Sequence, residues 1–92
     1  MHAILVEVKV DAARGDEARK LLEEMVVPTM KALPGFVGGY WLGSEDGASG
    51  ASIVVFESEE TAQNAADNRP GPPEGAPVTV TRFEVRPVFA NA

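Results

Sequence analysis

The stretch Leu33-Pro34-Gly35-Phe36-Val37-Gly38-Gly39-Tyr40-Trp41-Leu42-Gly43 forces a helix to end and a strand to begin almost at once. Pro34 disfavours the α conformation at Leu33, and Gly35 reaches φ values that other residues avoid. Phe36, Val37, Tyr40, Trp41 and Leu42 are strand formers. The only Trp and the only Tyr of the chain lie side by side here. Alternation puts Phe36, Gly38, Tyr40 and Leu42 on one face and Val37, Gly39, Trp41 and Gly43 on the other. Glycine inside a strand marks a bulge, a bend or the close approach of another group, so Gly38-Gly39 locates one of these.

The flanking segments complete a β-α-β-β-α-β order. From His2 to Asp11 the chain alternates, with His2, Ile4, Val6, Val8 and Val10 on the apolar face expected to carry the helices. After a turn at 12–15, Asp16 can cap a helix whose stripe is Ala18, Leu21, Leu22, Met25, Thr29, Met30 and Leu33. Pro28 sits inside that helix and clashes with the carbonyl of Glu24, which predicts a kink or restart near Val26 or Val27. Ala51 to Glu57 is a strand apolar on both faces, so it wants cover on both. Ser58 caps a second helix with a small buried stripe of Ala62, Ala65 and Ala66. Arg69 to Pro77 is a proline-rich stiff loop, with a lid as one reading of it. In the last strand, Val78 to Val88, the apolar parity shifts from Val78 and Val80 to Phe83 and Val85, which predicts a bulge near Thr81 or Arg82.

This order is the ferredoxin-like α+β fold, an antiparallel sheet with two helices on one face. The 92 residues make one domain. The helix-free face keeps Leu5 and one apolar set of the third strand, which predicts a homodimer formed through that face.

Charge and composition narrow the partners. Of the 14 acids, seven lie between Glu45 and Glu74 with Arg69 as the lone base among them, and the net charge is −6. That surface repels phosphates, so neither nucleic acid nor an anionic membrane is expected. With no Cys and one His, thiolate or His-rich metal sites are excluded. No apolar run approaches the ~20 residues of a membrane span, and the N-terminus reads as a strand, not a signal peptide. A cytoplasmic location is the expectation. No Ser-His-Asp group or glycine-rich phosphate loop is present.

With these elements in place, the chain resembles the antibiotic biosynthesis monooxygenase domain family of dimeric α+β barrels. The likeness rests on Pro34-Gly35-Phe36, on Gly38-Gly39-Tyr40-Trp41, on Val54-Val55-Phe56-Glu57-Ser58-Glu59-Glu60, and on Val26-Val27-Pro28 within the first helix. It implies a small aromatic ligand, phenol-, quinol- or anthrone-like, and oxidation without metal or flavin. The haem-degrading branch carries a helical His where this chain has the region of Asn64 and Ala65, so the resemblance implies no cofactor and sets haem aside.

The candidate site residues follow from residue chemistry and from the side-chain types the family uses. Trp41 can stack on an aromatic ligand or pack in a core or interface. Tyr40 can donate to a substrate oxygen or sit at a rim; adjacent in one strand, it faces away from Trp41. Asn64 can reach the cleft or face solvent, and Asn68 reads as a helix-end residue. His2 is a general-base candidate or a satisfied terminal His. Arg82 can hold an anionic oxygen or pair with Glu84 or Glu7. Three readings stay open: a cofactor-independent monooxygenase, a non-catalytic small-molecule-binding homodimer, and an isomerase or lyase.

Overall fold

Strand β1 (His2–Val10) occupies an inner position of a four-stranded antiparallel sheet of order β2-β3-β1-β4, with β2 (Phe36–Gly43), β3 (Ser49–Phe56) and β4 (Val78–Pro87) around it. The structure, a computed structural model, describes residues 1–69 and 71–92. Pro70, part of the expected stiff loop, lies outside the described residues. Helices α1 (Gly15–Leu21) and α2 (Val27–Lys31) follow β1, and α3 (Glu59–Asn68) follows β3.

The first helix begins differently from expectation. A single 3-10 turn, Ala12–Arg14, runs straight into α1, so the cap moves upstream to Asp11, whose carboxylate accepts from the Ala13 N–H at 3.1 Å. Asp16 instead lies in the first turn of α1 beside Glu17, where negative charge suits the helix N-terminus. Pro28 has the disruptive effect that its ring requires, but as a widening of the helix. Residues Leu22–Val26 form a π-helical turn, and the Val27 N–H reaches the Leu22 carbonyl five residues back. A regular helix then restarts at Val27 with Pro28 in its first turn, where no N–H is missed.

Gly35 ends this segment with φ +77°, and a side chain there would come within 2.6 Å of Thr61. The Gly35 carbonyl accepts from the Glu57 N–H at 2.8 Å, which ties the junction to the end of β3. Ser58 then caps α3 reciprocally: its Oγ accepts from the Thr61 N–H, and its own N–H donates to Thr61 Oγ1, both at 3.1 Å.

Two bulges set which side chains face the helices. In β2, Phe36 pairs with Phe56 while Gly38 pairs with Val55, so Val37 is the extra residue. This corrects the simple alternation: Phe36 moves to the face of Gly39 and Trp41, and its ring meets Phe56 edge-on at 6.0 Å. In β4, Glu7 pairs with Arg82 and Val8 with Val80, so Thr81 is the extra residue, and its hydroxyl donates to the Glu7 carbonyl at 3.1 Å. The core lies between the sheet and α2 and α3, with Ile4, Met30, Val54, Phe56, Ala62, Ala65 and Ala66 buried. The small alanines let α3 lie close to the sheet.

Candidate functional site

The far half of the helix-bearing face is not filled. Small residues bring α3 close to the sheet at one end, whereas α1 and the π-helical turn stand off it at the other. Between them lies an open cavity of about 460 Å³. Its floor is the even face of β1, from Ile4 to Val10, continued by Gly50 and Ser52 of β3. Its roof is Leu21, Leu22, Met25 and Val26, and Trp41 and Phe83 form aromatic walls. The bulge at Thr81 lets Val78, Val80 and Phe83 all face the same space. The charged residues on its lining are Asp16, Arg19 and Arg69.

The indole of Trp41 has a defined bed. A Cβ at Gly39 would lie 3.3 Å from its Cη2 and Cζ3 atoms, so the ring lies against bare backbone of its own strand. The same Cβ would meet the Ile53 carbonyl at 3.1 Å. Gly50 is tight as well, at 3.0 Å from the Leu42 carbonyl and 3.2 Å from Val8 Cγ2. At both positions a side chain would crowd a neighbouring strand's carbonyl and an adjacent side chain.

The five residues singled out in the sequence are not brought together. Trp41 alone lines the cavity. Tyr40 projects from the opposite, helix-free face and is 76% exposed. Arg82 is on that face too, its Nη2 2.9 Å from Glu84 and its Nη1 3.5 Å from Glu7. The charge of Glu84, then its hydrogen bond, then Glu7 hold the Arg82 guanidinium in its protonated form, with a pKa above its ordinary value. Asn64 is exposed on α3, where its backbone carbonyl accepts from Asn68 Nδ2 at 2.8 Å. His2 lies at the start of β1 with Nε2 3.9 Å from Glu59, and its Nδ1 is buried without a partner.

Arg69 and Phe83 also line the cavity, and the sequence reading did not select them. The Arg69 Cζ stands 3.8 Å from the centre of the Phe83 ring, and Nη1 donates to the Ala66 carbonyl at 3.1 Å. The available signal was Arg69 itself, the lone base in an acidic stretch.

No model of a known protein family matches the chain, and no curated protein does. Solved structures do. The chain is similar to MhuD, a haem-degrader from Mycobacterium tuberculosis, with TM-score 0.74 and 17% identity over 100% of this chain and 99% of that one; that structure has two haems bound in its active site. A mutant of the same protein, with TM-score 0.72, holds two manganese protoporphyrin IX per active site. HapK from Hahella chejuensis matches with TM-score 0.70 and 11% identity, over 100% of this chain and 96% of that one. A monooxygenase from the gene ActVA-Orf6 of Streptomyces coelicolor, in complex with the ligand nanaomycin D, matches with TM-score 0.60 and 21% identity, over 99% and 90%.

One expectation is overturned. The site was read as cofactor-free, with haem set aside for want of a helical His, yet structures of this fold hold haem or manganese protoporphyrin in their active sites. The fold itself therefore accommodates a porphyrin. The apolar walls of the present cavity suit a flat macrocycle. The donor set does not suit haem held through a His, Cys or Tyr: among the described residues none of these lines the cavity, and Met25 and Met30 supply the only sulfur. The chain therefore has the ferredoxin-like α+β fold of these proteins.

Proposed function

We propose that the cavity between α1 and the sheet binds a small, flat, aromatic compound, and that the chain is a monooxygenase-type domain acting on it. The observation that carries this reading is an open cavity of about 460 Å³ with apolar floor and roof and with Trp41 and Phe83 as its walls. A space of this size suits a ring compound, and such sites are mostly apolar with few polar groups. The chain's own contribution is to exclude water from the ring, to stack it against Trp41 and to hold it against the apolar floor of β1. The structural likeness to a monooxygenase in complex with nanaomycin D and to a haem-degrader supports the same site class.

A second reading, a binding domain without turnover, has an observation in its favour. Among the described residues Asp16 is the only carboxylate on the lining, and no His or Tyr joins it there. Proton transfer by a positioned pair of side chains, as an isomerase or lyase needs, finds no such pair in the cavity.

The working unit in this proposal is a homodimer. Tyr40, Ile53 and Leu5 form a row across the helix-free face, and Tyr40, Ile53, Val37 and Leu42 are exposed. A second copy would cover them. Among the described residues no helix is long and apolar enough to cross a membrane.

The test is a titration of the single Trp with quinols, anthrones and haem, under air and under argon, with oxygen uptake measured in parallel. Saturable quenching with oxygen-dependent product establishes the monooxygenase. Quenching without product establishes the binding domain. No quenching by any of them refutes the cavity as the site. Light scattering at micromolar concentration reads the dimer, and a monomer there refutes it.

A further inference from the structure

Three of the five arginines of this chain are ion-paired. Arg14 is paired with Glu17, Arg82 with Glu7 and Glu84, and Arg86 with Glu84. Arg69 stands in the most acidic part of the sequence, yet among the described residues no carboxylate lies within ion-pair distance of it. Its guanidinium is nevertheless held in place. The Phe83 ring supports one side, and the Ala66 carbonyl at the end of α3 accepts one of its N–H groups. The backbone at Arg69 has already left the helix, with φ −62° and ψ 146°, which turns the residue to the cavity that it lines. Asp16 and Arg19, also on the lining, lie three residues apart on α1. Of the two arginines on the lining, Arg69 is the one whose guanidinium is held by an aromatic ring and a backbone carbonyl, with most of its donors left for a ligand.

We infer that Arg69 is the specificity-determining residue of this cavity and that the ligand is an aromatic carboxylate, its ring on the apolar floor and its anionic oxygens on the Arg69 guanidinium. Stacking on Phe83 fixes the plane of the fork before the ligand arrives, so little conformational entropy is lost when a carboxylate engages it. A protein of net charge −6 repels anions in general, so a local cation is needed for any anion to be selected at all. This inference rests on the cavity being the ligand site.

The experiment compares 2-naphthoate with 2-naphthamide, which share a ring and a size and differ in charge. Binding to the full chain is followed by calorimetry and by quenching of Trp41. The naphthoate should bind about tenfold tighter at low salt, and the preference should shrink to within about twofold at high salt. In Arg69→Gln the preference should fall to within about twofold while naphthamide affinity holds, and Arg69→Lys should restore part of it. Arg86→Gln makes the same charge change on the other face and should leave the preference intact. A purely structural Arg69, serving only to cover Phe83 and end α3, would lower the melting temperature without moving the preference. Equal binding of the two probes to the native chain, or a preference that survives in Arg69→Gln, overturns the role of Arg69 and leaves the cavity standing. Binding of neither overturns the cavity as the site and this inference with it. If Arg69→Gln does not fold, the salt series on the native chain decides: a preference unmoved by salt is not ionic and refutes the inference.

Discussion

The two faces of the sheet are built from alternate residues of the same strands and have opposite characters. On the helix-bearing face, Ile4, Val54 and Phe56 are buried beneath α2 and α3, and Trp41 borders a cavity. On the other face, their immediate neighbours Leu5, Ile53 and Tyr40 make an apolar row that ends in the charged group of Glu7, Arg82, Glu84 and Arg86. One face is packed to bury and to enclose. The other is arranged as a surface, apolar toward β2 and β3 and ionic toward β4. Adjacent residues such as Tyr40 and Trp41 therefore answer to different physics, although their chemistry is similar.

The largest effect that would break this comparison is in stability. Ile4→Ala removes a side chain that is 1% exposed and should cost about 3 kcal/mol in chemical denaturation. Leu5→Ala, one residue along on the open face, should cost under about 1 kcal/mol in a monomer at high dilution. Equal costs at high dilution would mean that the helix-free face is closed within one chain. A Leu5→Ala cost that grows with protein concentration would support the dimer.

Ligand binding separates Tyr40 from Trp41. Trp41→Leu should weaken an aromatic ligand of the cavity about tenfold by calorimetry, while Tyr40→Leu changes affinity less than about twofold. A large loss at Tyr40 would place the ligand on the other face.

The glycine pair gives a smaller contrast. A side chain at Gly39 meets both the Trp41 ring and the Ile53 carbonyl, whereas nothing lies within 4 Å of one at Gly38. Gly39→Ala should displace the indole, shift the fluorescence maximum and lower ligand affinity a few-fold, while Gly38→Ala should be silent in both. An unchanged spectrum in Gly39→Ala would show that the ring does not rest on the strand.

The smallest effect belongs to the loop joining β2 and β3 and touches neither face. The Asp46 carboxyl is held below its ordinary range first by a hydrogen bond from the Ser44 hydroxyl, then by the Ala48 N–H. Its folded pKa is depressed, so the contribution is present above the unfolded value of about 3.9 and is lost as pH falls through the folded value. Amide exchange at Ala48 should rise in Asp46→Asn relative to the native chain at pH 6, with no change at β1. Protection that is unaffected would show that the side-chain bond does not hold the loop.

Much of the fold was legible in the chain because short-range sterics wrote it there. Pro28 and Gly35 act on their own backbone, Ser58 on the next turn, and the alternation of β1 needs only a sheet with one dry side. The parity shift in β4 pointed to a bulge near Thr81 or Arg82, since a strand can change its buried parity only by inserting a residue, and the pairing makes Thr81 the extra one. The bulge at Val37 was less legible. Gly38-Gly39 signalled an irregularity, but which residue would be extra depended on the pairing with β3, and Phe36 changed face as a result.

The site was far less legible, for a physical reason. Tyr40, Arg82, Asn64 and His2 were chosen for what their side chains can do, whereas a site is set by where they converge. Convergence here was decided by long-range contacts: the approach of α3 through its alanines, the standing-off of α1 beyond the π-helical turn, and the stacking of Arg69 on Phe83 across the cavity mouth. None of these contacts lies within one element, so no local pattern encodes it. The sequence by itself determined the order of elements and the alternation of β1, because these depend on short-range sterics and on one dry side of the sheet. Tertiary structure decided where the first helix starts, which face Phe36 takes, that one end of the helix-bearing face stays open, and that Arg69 borders it.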